Sequence, residues 1–167
     1  MSNLSRRTVD NPHQGWSVAA PSSVFAPVAI PHDSVRRVPA SVIGAGFVLY
    51  VEDNDDLREL VVELVTIAFQ RRCVGVGSYE ELVALGEEAL RCSVAILDIN
   101  LGPNRPSGID AYTWLRDKGY TGRIVFLTGH ASNHPLVVEA KRIGGAEIFS
   151  KPIDPDRLRS IVEDEGQ

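Results

Sequence analysis

Five residues of this chain sit where short apolar runs give out: Glu52 and Asp53 after Phe47–Val51, Asp98 after Val94–Leu97, Thr128 after Ile124–Leu127, and Lys151 shortly after Ala146–Phe149. Three carboxylates, a hydroxyl and an amine of this kind can do chemistry if they converge. Carboxylates crowded together repel, and burying them unpaired is costly. A divalent cation relieves both problems, and Mg²⁺ favours a few carboxylates plus water in an octahedron. A carboxylate oxygen beside such an ion can attack phosphorus, with the cation and a lysine holding the charged equatorial oxygens. Taken singly, each residue has a plainer role. Glu52-Asp53 would suit the start of a helix through its dipole, Asp98 a turn, Thr128 a strand end and Lys151 a solvated surface. Their joint occurrence, each at its own strand end, is what the plainer roles leave unexplained. Lys151 is also one of only three lysines in the chain.

These positions depend on the elements that carry them. Phe47–Val51, Cys73–Val76, Val94–Leu97, Ile124–Leu127 and Ala146–Phe149 read as five short buried strands. A helix after the first carries Leu57, Leu60, Val61, Leu64, Val65 and Ala68 on one apolar face, with Asp56 and Glu59 spaced as a capping box. Ser78 and Glu81 open a second helix. Ser107 and Asp110 open a third, bearing Ile109, Tyr112 and Leu115. Pro135 suits the first turn of a fourth that ends at Gly144-Gly145, and Asp154-Pro155 starts a fifth with Leu158, Ile161 and Val162. Strands that are apolar throughout and alternate with helices predict an α/β fold, a (βα)5 doubly wound five-stranded parallel sheet covered on both faces. Ligands in such sheets gather beyond the carboxyl ends of the strands, which is where the five residues stand.

The chain has 167 residues and a net charge of −5. Residues 1–45 hold five of the ten prolines and no lysine, show no sustained period, and are expected to form an extended or disordered tail. The apolar stretch Val24–Ile30 is an exception within it and a candidate docking segment. Residues 46–167 form the expected domain, with 13 basic against 20 acidic side chains. Such an acidic domain gains nothing from counterion release, so direct nucleic-acid binding is not expected. No apolar run approaches the ~20 residues of a membrane span, and no secretory signal is evident. Cys73 and Cys92 lack metal-ligand spacing and read as ordinary thiols of a cytoplasmic protein.

At this point the sequence resembles the receiver domain of bacterial two-component response regulators, the CheY-like family, over roughly residues 46–165. The segments that carry the likeness are Val51-Glu52-Asp53-Asn54, Ile96-Leu97-Asp98-Ile99-Asn100-Leu101, Leu127-Thr128-Gly129-His130 and Ser150-Lys151-Pro152. The resemblance implies strand order 2-1-3-4-5 and phosphoryl transfer to Asp98 from a sensor histidine kinase or a histidine phosphotransfer protein. It further implies Mg²⁺ bound by Asp53, Asp98 and the Asn100 carbonyl, with Glu52 acting through water. Thr128 would hydrogen-bond the phosphoryl group, Lys151 would pair with it, and the Lys151-Pro152 bond would be cis. Asn100 and His130 would tune dephosphorylation. Such a chain is a phosphoacceptor signalling domain, catalysing only its own phosphotransfer and dephosphorylation.

Two features depart from that family's pattern. The loop after Asp98 reaches Gly108 ten residues on, where eight is usual, so Gly102–Pro106 holds two extra residues. The usual aromatic three residues before the lysine is replaced by Ile148, and Phe149 should face the other way. With the chain stopping at Gln167, output is expected through a partner, a homodimer or the tail. Other aspartate-bearing folds fit less well. A haloacid-dehalogenase-type phosphatase needs a second acid where Asn100 stands, a dinucleotide fold needs glycines after its first strand, and a flavodoxin needs a phosphate loop at Glu52–Asn54. The stronger rival is a receiver fold serving as an interaction module without phosphorylation.

Overall fold

A computed structural model describes residues 46–164. The expected tail, residues 1–45, lies outside the described residues, Val24–Ile30 included. Five strands, β1 (Val48–Val51), β2 (Cys73–Val76), β3 (Val94–Asp98), β4 (Arg123–Thr128) and β5 (Glu147–Ser150), pair in parallel in the order β2-β1-β3-β4-β5. Helices α1 (Asp55–Glu63), α2 (Tyr79–Leu85), α3 (Gly108–Asp117), α4 (Pro135–Ile143) and α5 (Pro155–Glu163) connect and follow them. This is the doubly wound arrangement that the alternation of apolar runs and amphipathic segments predicts.

Side chains alternate across a strand, so an apolar run needs cover on both sides. Leu49, Val51, Ala95, Leu97, Ile124 and Phe126 form one core with Leu82, Leu115, Val137 and Ala140 of α2, α3 and α4. Val48, Tyr50, Val94, Ile96, Val125 and Leu127 form the other with Val61 and Val65 of the α1 segment and Leu158, Ile161 and Val162 of α5. Each fully buried aliphatic side chain contributes about 1.5–3 kcal/mol. The two layers fix the sheet, and the sheet fixes the edge where the five residues meet. Among the described residues no helix is long and apolar enough to cross a membrane.

Helix starts follow the capping chemistry with one correction. Ser78 accepts from the Glu81 N–H, Ser107 and Asp110 form a full capping box, and Asp154 caps α5 ahead of Pro155. In α1 the cap is Asn54, whose side chain accepts from the Leu57 N–H, rather than the expected Asp56–Glu59 pair. Asn54 is still extended while Asp55 and Asp56 already lie in the first turn. The apolar face of α1 is also corrected. Leu64–Ala68 widens into a π-type turn, in which the Phe69 N–H reaches the Leu64 carbonyl at 3.3 Å. That extra residue per turn rotates the face. Phe69 is buried where Ala68 is expected. Leu60, in the regular helix ahead of that turn, is 60% exposed for a separate reason, lying off the buried side of α1 that carries Val61.

Candidate functional site at the carboxyl edge of the sheet

Strand register assembles the site. β1 and β3 pair Val51 with Leu97, so the next residues, Glu52 and Asp98, come side by side. β4 and β5 pair Thr128 with Ser150, and the Lys151 N–H donates to the Thr128 carbonyl at 2.8 Å, which brings the lysine to the same edge. The chain leaves β1 for β2 and returns across it to β3, so the acids lie at the point where strand order reverses.

The Lys151 ammonium donates to Glu52 Oε2 and, at 2.8 Å, to Asp98 Oδ2. Glu52 and Asp98 are buried, whereas Asp53 is exposed at the rim. One oxygen from each of these three acids lies within 4.8 Å of the others. Burial pushes the Asp98 carboxyl above its ordinary range. The hydrogen bond and charge of Lys151 oppose the shift, and the charge of Glu52 adds to it. One ammonium, paired with two of the three carboxylates, leaves an excess of negative charge. Three hard oxygen donors in so small a space are the donor set of Mg²⁺, and the residues fit such an ion.

The remaining predicted residues frame this cluster. The Asn100 N–H donates to Asp98 Oδ1 at 3.3 Å. Thr128 is buried, and its Oγ1 accepts the His130 N–H at 3.0 Å. The His130 ring stacks on His134, with centroids 3.9 Å apart. Among the described residues, no hydrogen bond joins Thr128 or His130 to the three acids. The Lys151-Pro152 bond is cis, as the resemblance implies.

The longer loop after Asp98 folds without displacing the acids. Gly102 and Asn104 take up left-handed backbone, with φ of 104° and 57°, and the Gly102 position lies against the Asp53 carboxylate. Gly108 is needed for another reason: a Cβ there would stand 2.0 Å from the Asp98 carbonyl oxygen. Ile148 and Phe149 do face opposite ways, Ile148 against the α2–α4 layer and Phe149 against the α1/α5 layer, where Arg157 covers its ring.

Two contributors escaped the sequence reading. Tyr50, fully buried, donates its hydroxyl to Glu52 Oε2 at 2.8 Å. Period-two alternation puts residues 50 and 52 on one face, which was the available signal. Arg58 donates to the Glu52 carbonyl at 2.8 Å, its side chain lying against Gly75 and Gly77, where any Cβ would crowd it. No local pattern announces that contact.

Comparison with known proteins decides the family. The model of the response regulator receiver domain matches residues 48–163. The chain belongs to that family. This receiver is 29% identical over 119 residues to the two-component response regulator PprB of Pseudomonas aeruginosa, an alignment covering 70% of this chain and 42% of that one. The receiver thus spans about two fifths of that relative's length. Among solved structures it resembles the signal receiver domain of a LuxO repressor protein from Vibrio parahaemolyticus, with TM-score 0.61 and 26% identity over 72% of this chain and 89% of that one. It shares the fold of the Vibrio cholerae chemotaxis protein CheY4, with TM-score 0.62 and 23% identity, covering 73% and 99% of the two chains. The chain is a receiver domain of a two-component response regulator.

Proposed function

We propose that this receiver accepts a phosphoryl group on Asp98 from a histidine of a sensor kinase or histidine phosphotransfer protein. The supporting observation is the Lys151 ammonium held between Glu52 and Asp98, with Asp53 at the rim. An Asp98 oxygen attacks phosphorus, the P–N bond to the donor histidine breaks, and the electron pair leaves on the imidazole nitrogen. Lys151, already 2.8 Å from Asp98, turns to the arriving phosphoryl oxygens and keeps its charge at the reacting centre. Thr128 Oγ1 is an acceptor toward His130, so its own hydroxyl hydrogen is available to a phosphoryl oxygen. Asp53, Asp98 and the Asn100 carbonyl would hold Mg²⁺, with Glu52 acting through water. When bound, the ion offsets the charge of the acids and of the transferred group.

Asn100 and His130 flank the site, on the loops after Asp98 and Thr128, and are assigned the tuning of phospho-Asp98 lifetime. The signal would pass to a partner or a second copy through α4, β5 and α5, where Val137 is buried but Val138 is half exposed. The reading places this receiver in the cytoplasm with its kinase, bound neither to nucleic acid nor to membrane.

Transfer from a phosphorylated kinase to the full chain tests this, with and without a chelator and with Lys151→Ala alongside. Transfer is expected to need the divalent ion, and Lys151→Ala is expected to lower it about tenfold or more, the scale of a lost hydrogen bond between charged groups. Transfer that is indifferent to chelator and to Lys151→Ala would overturn this site as the acceptor, and no transfer under any of these conditions would favour the module that works without phosphorylation.

A further inference from the structure

The Tyr50 hydroxyl is a feature of this edge that the proposed chemistry does not use. Tyr50 sits in the middle of the α1/α5 core with no exposure, and its hydroxyl donates at 2.8 Å to Glu52 Oε2. That same oxygen receives the Lys151 ammonium. Among the described residues, the other carboxylate oxygen, Oε1, is met only by the Asn54 N–H at 3.4 Å. Glu52 is itself buried, so its orientation rests mainly on the two short bonds, from Tyr50 and Lys151, and the lysine also serves Asp98.

This sharing has a consequence when the lysine turns toward a phosphoryl group. Without the Tyr50 hydroxyl, the departing lysine would take away the last short hydrogen bond that the described residues give this buried carboxylate, which is costly. With Tyr50 present, Glu52 keeps a hydrogen bond and its orientation. We propose that Tyr50 is a positioning residue that holds the Glu52 carboxylate in place for the cation and lets Lys151 leave it for the phosphoryl group. The inference rests on the reading of Asp98 as a Mg²⁺-assisted phosphoacceptor. It also gives the glutamate a reason to be one. Shortening it to aspartate withdraws the carboxylate by one methylene, out of reach of a phenol anchored in the core.

The test uses the full chain in four forms: wild type, Tyr50→Phe, Glu52→Asp and the double variant. Tyr50→Phe removes one oxygen and keeps the ring that fills the core. Mg²⁺ affinity of the unphosphorylated protein is measured by calorimetric titration, and phosphorylation by a small phosphodonor is followed at saturating Mg²⁺. Thermal melts without metal confirm that each variant folds. Tyr50→Phe is expected to weaken Mg²⁺ binding about tenfold, as loss of an outer partner of a metal site does, and to slow phosphorylation. In the Glu52→Asp background the same change is expected to do nothing further to either quantity. Equal Mg²⁺ affinity in wild type and Tyr50→Phe overturns the proposal. So does a loss of the same size in both backgrounds, which would mark Tyr50 as mere core packing. A wild-type protein that takes up neither Mg²⁺ nor phosphoryl overturns the underlying reading instead, and this proposal with it.

Discussion

Asp98 is a carboxylate kept in a place that disfavours its charge. It is 6% exposed, and burial outweighs the help it receives from Lys151 and the Asn100 N–H, so its pKa lies above the ordinary value of 3.8. The sign of the stability effect follows. The folded chain holds this proton more tightly than the unfolded chain does. The stability tied to Asp98 is therefore present below the unfolded pKa and is lost as pH rises through the folded one. Asp98→Asn removes that loss. In metal-free protein we expect Asp98→Asn to melt higher than wild type at pH 7, with the gap closing as pH falls toward 3.8. Added Mg²⁺ should raise the wild-type melting point and leave that of the variant unmoved. Melting curves across pH, with and without Mg²⁺, check this. A variant less stable than wild type at neutral pH, without metal, would mean that the Lys151 pair outweighs the cost of burial.

The loop from β3 to α3 sets the limit on change around Asp98. Helix α3 begins at Gly108, where the backbone passes so close to the Asp98 carbonyl that a Cβ would overlap it. Gly108→Ala is expected to destabilise the fold by about 2 kcal/mol or more, as overpacking against backbone does. Gly129→Ala, where nothing lies within 4 Å of the added carbon, is expected to be near neutral. Denaturant midpoints of the two variants check this. Much at this scale was legible beforehand. The five apolar runs gave the strands, their ends gave the acids, threonine and lysine, and Ser78, Ser107 and Asp154 gave three of the helix starts. What escaped did so for physical reasons. The π-type turn after α1 changes the helical period, so Ala68 was placed on a face that Phe69 occupies. Asn54 capped α1 because the cap is decided by backbone angles at a single residue. Tyr50 reads as apolar in a strand until its hydroxyl is seen to meet Glu52. Arg58 reaches the Glu52 carbonyl across Gly75 and Gly77, a contact that exists only once β2 lies beside α1.

At the scale of the molecule, the receiver is a sheet covered on both faces that presents an acidic, partly buried cluster at its carboxyl edge. Both cores are dense with fully buried aliphatic and aromatic side chains, and among the described residues no buried side-chain nitrogen or oxygen lacks a partner. The two thiols stay out of this chemistry: burial pushes Cys73 up to about 12 and Cys92 up to about 11, so both remain protonated at neutral pH. The central claim is that Asp98, in the acidic cluster, receives the phosphoryl group. The most direct measurement is intact mass of the full chain after incubation with a small phosphodonor and Mg²⁺, wild type beside Asp98→Asn. The account predicts one added phosphoryl group on wild type, none on Asp98→Asn, and none on wild type when the divalent ion is chelated. A phosphoryl group that still appears on Asp98→Asn would contradict it.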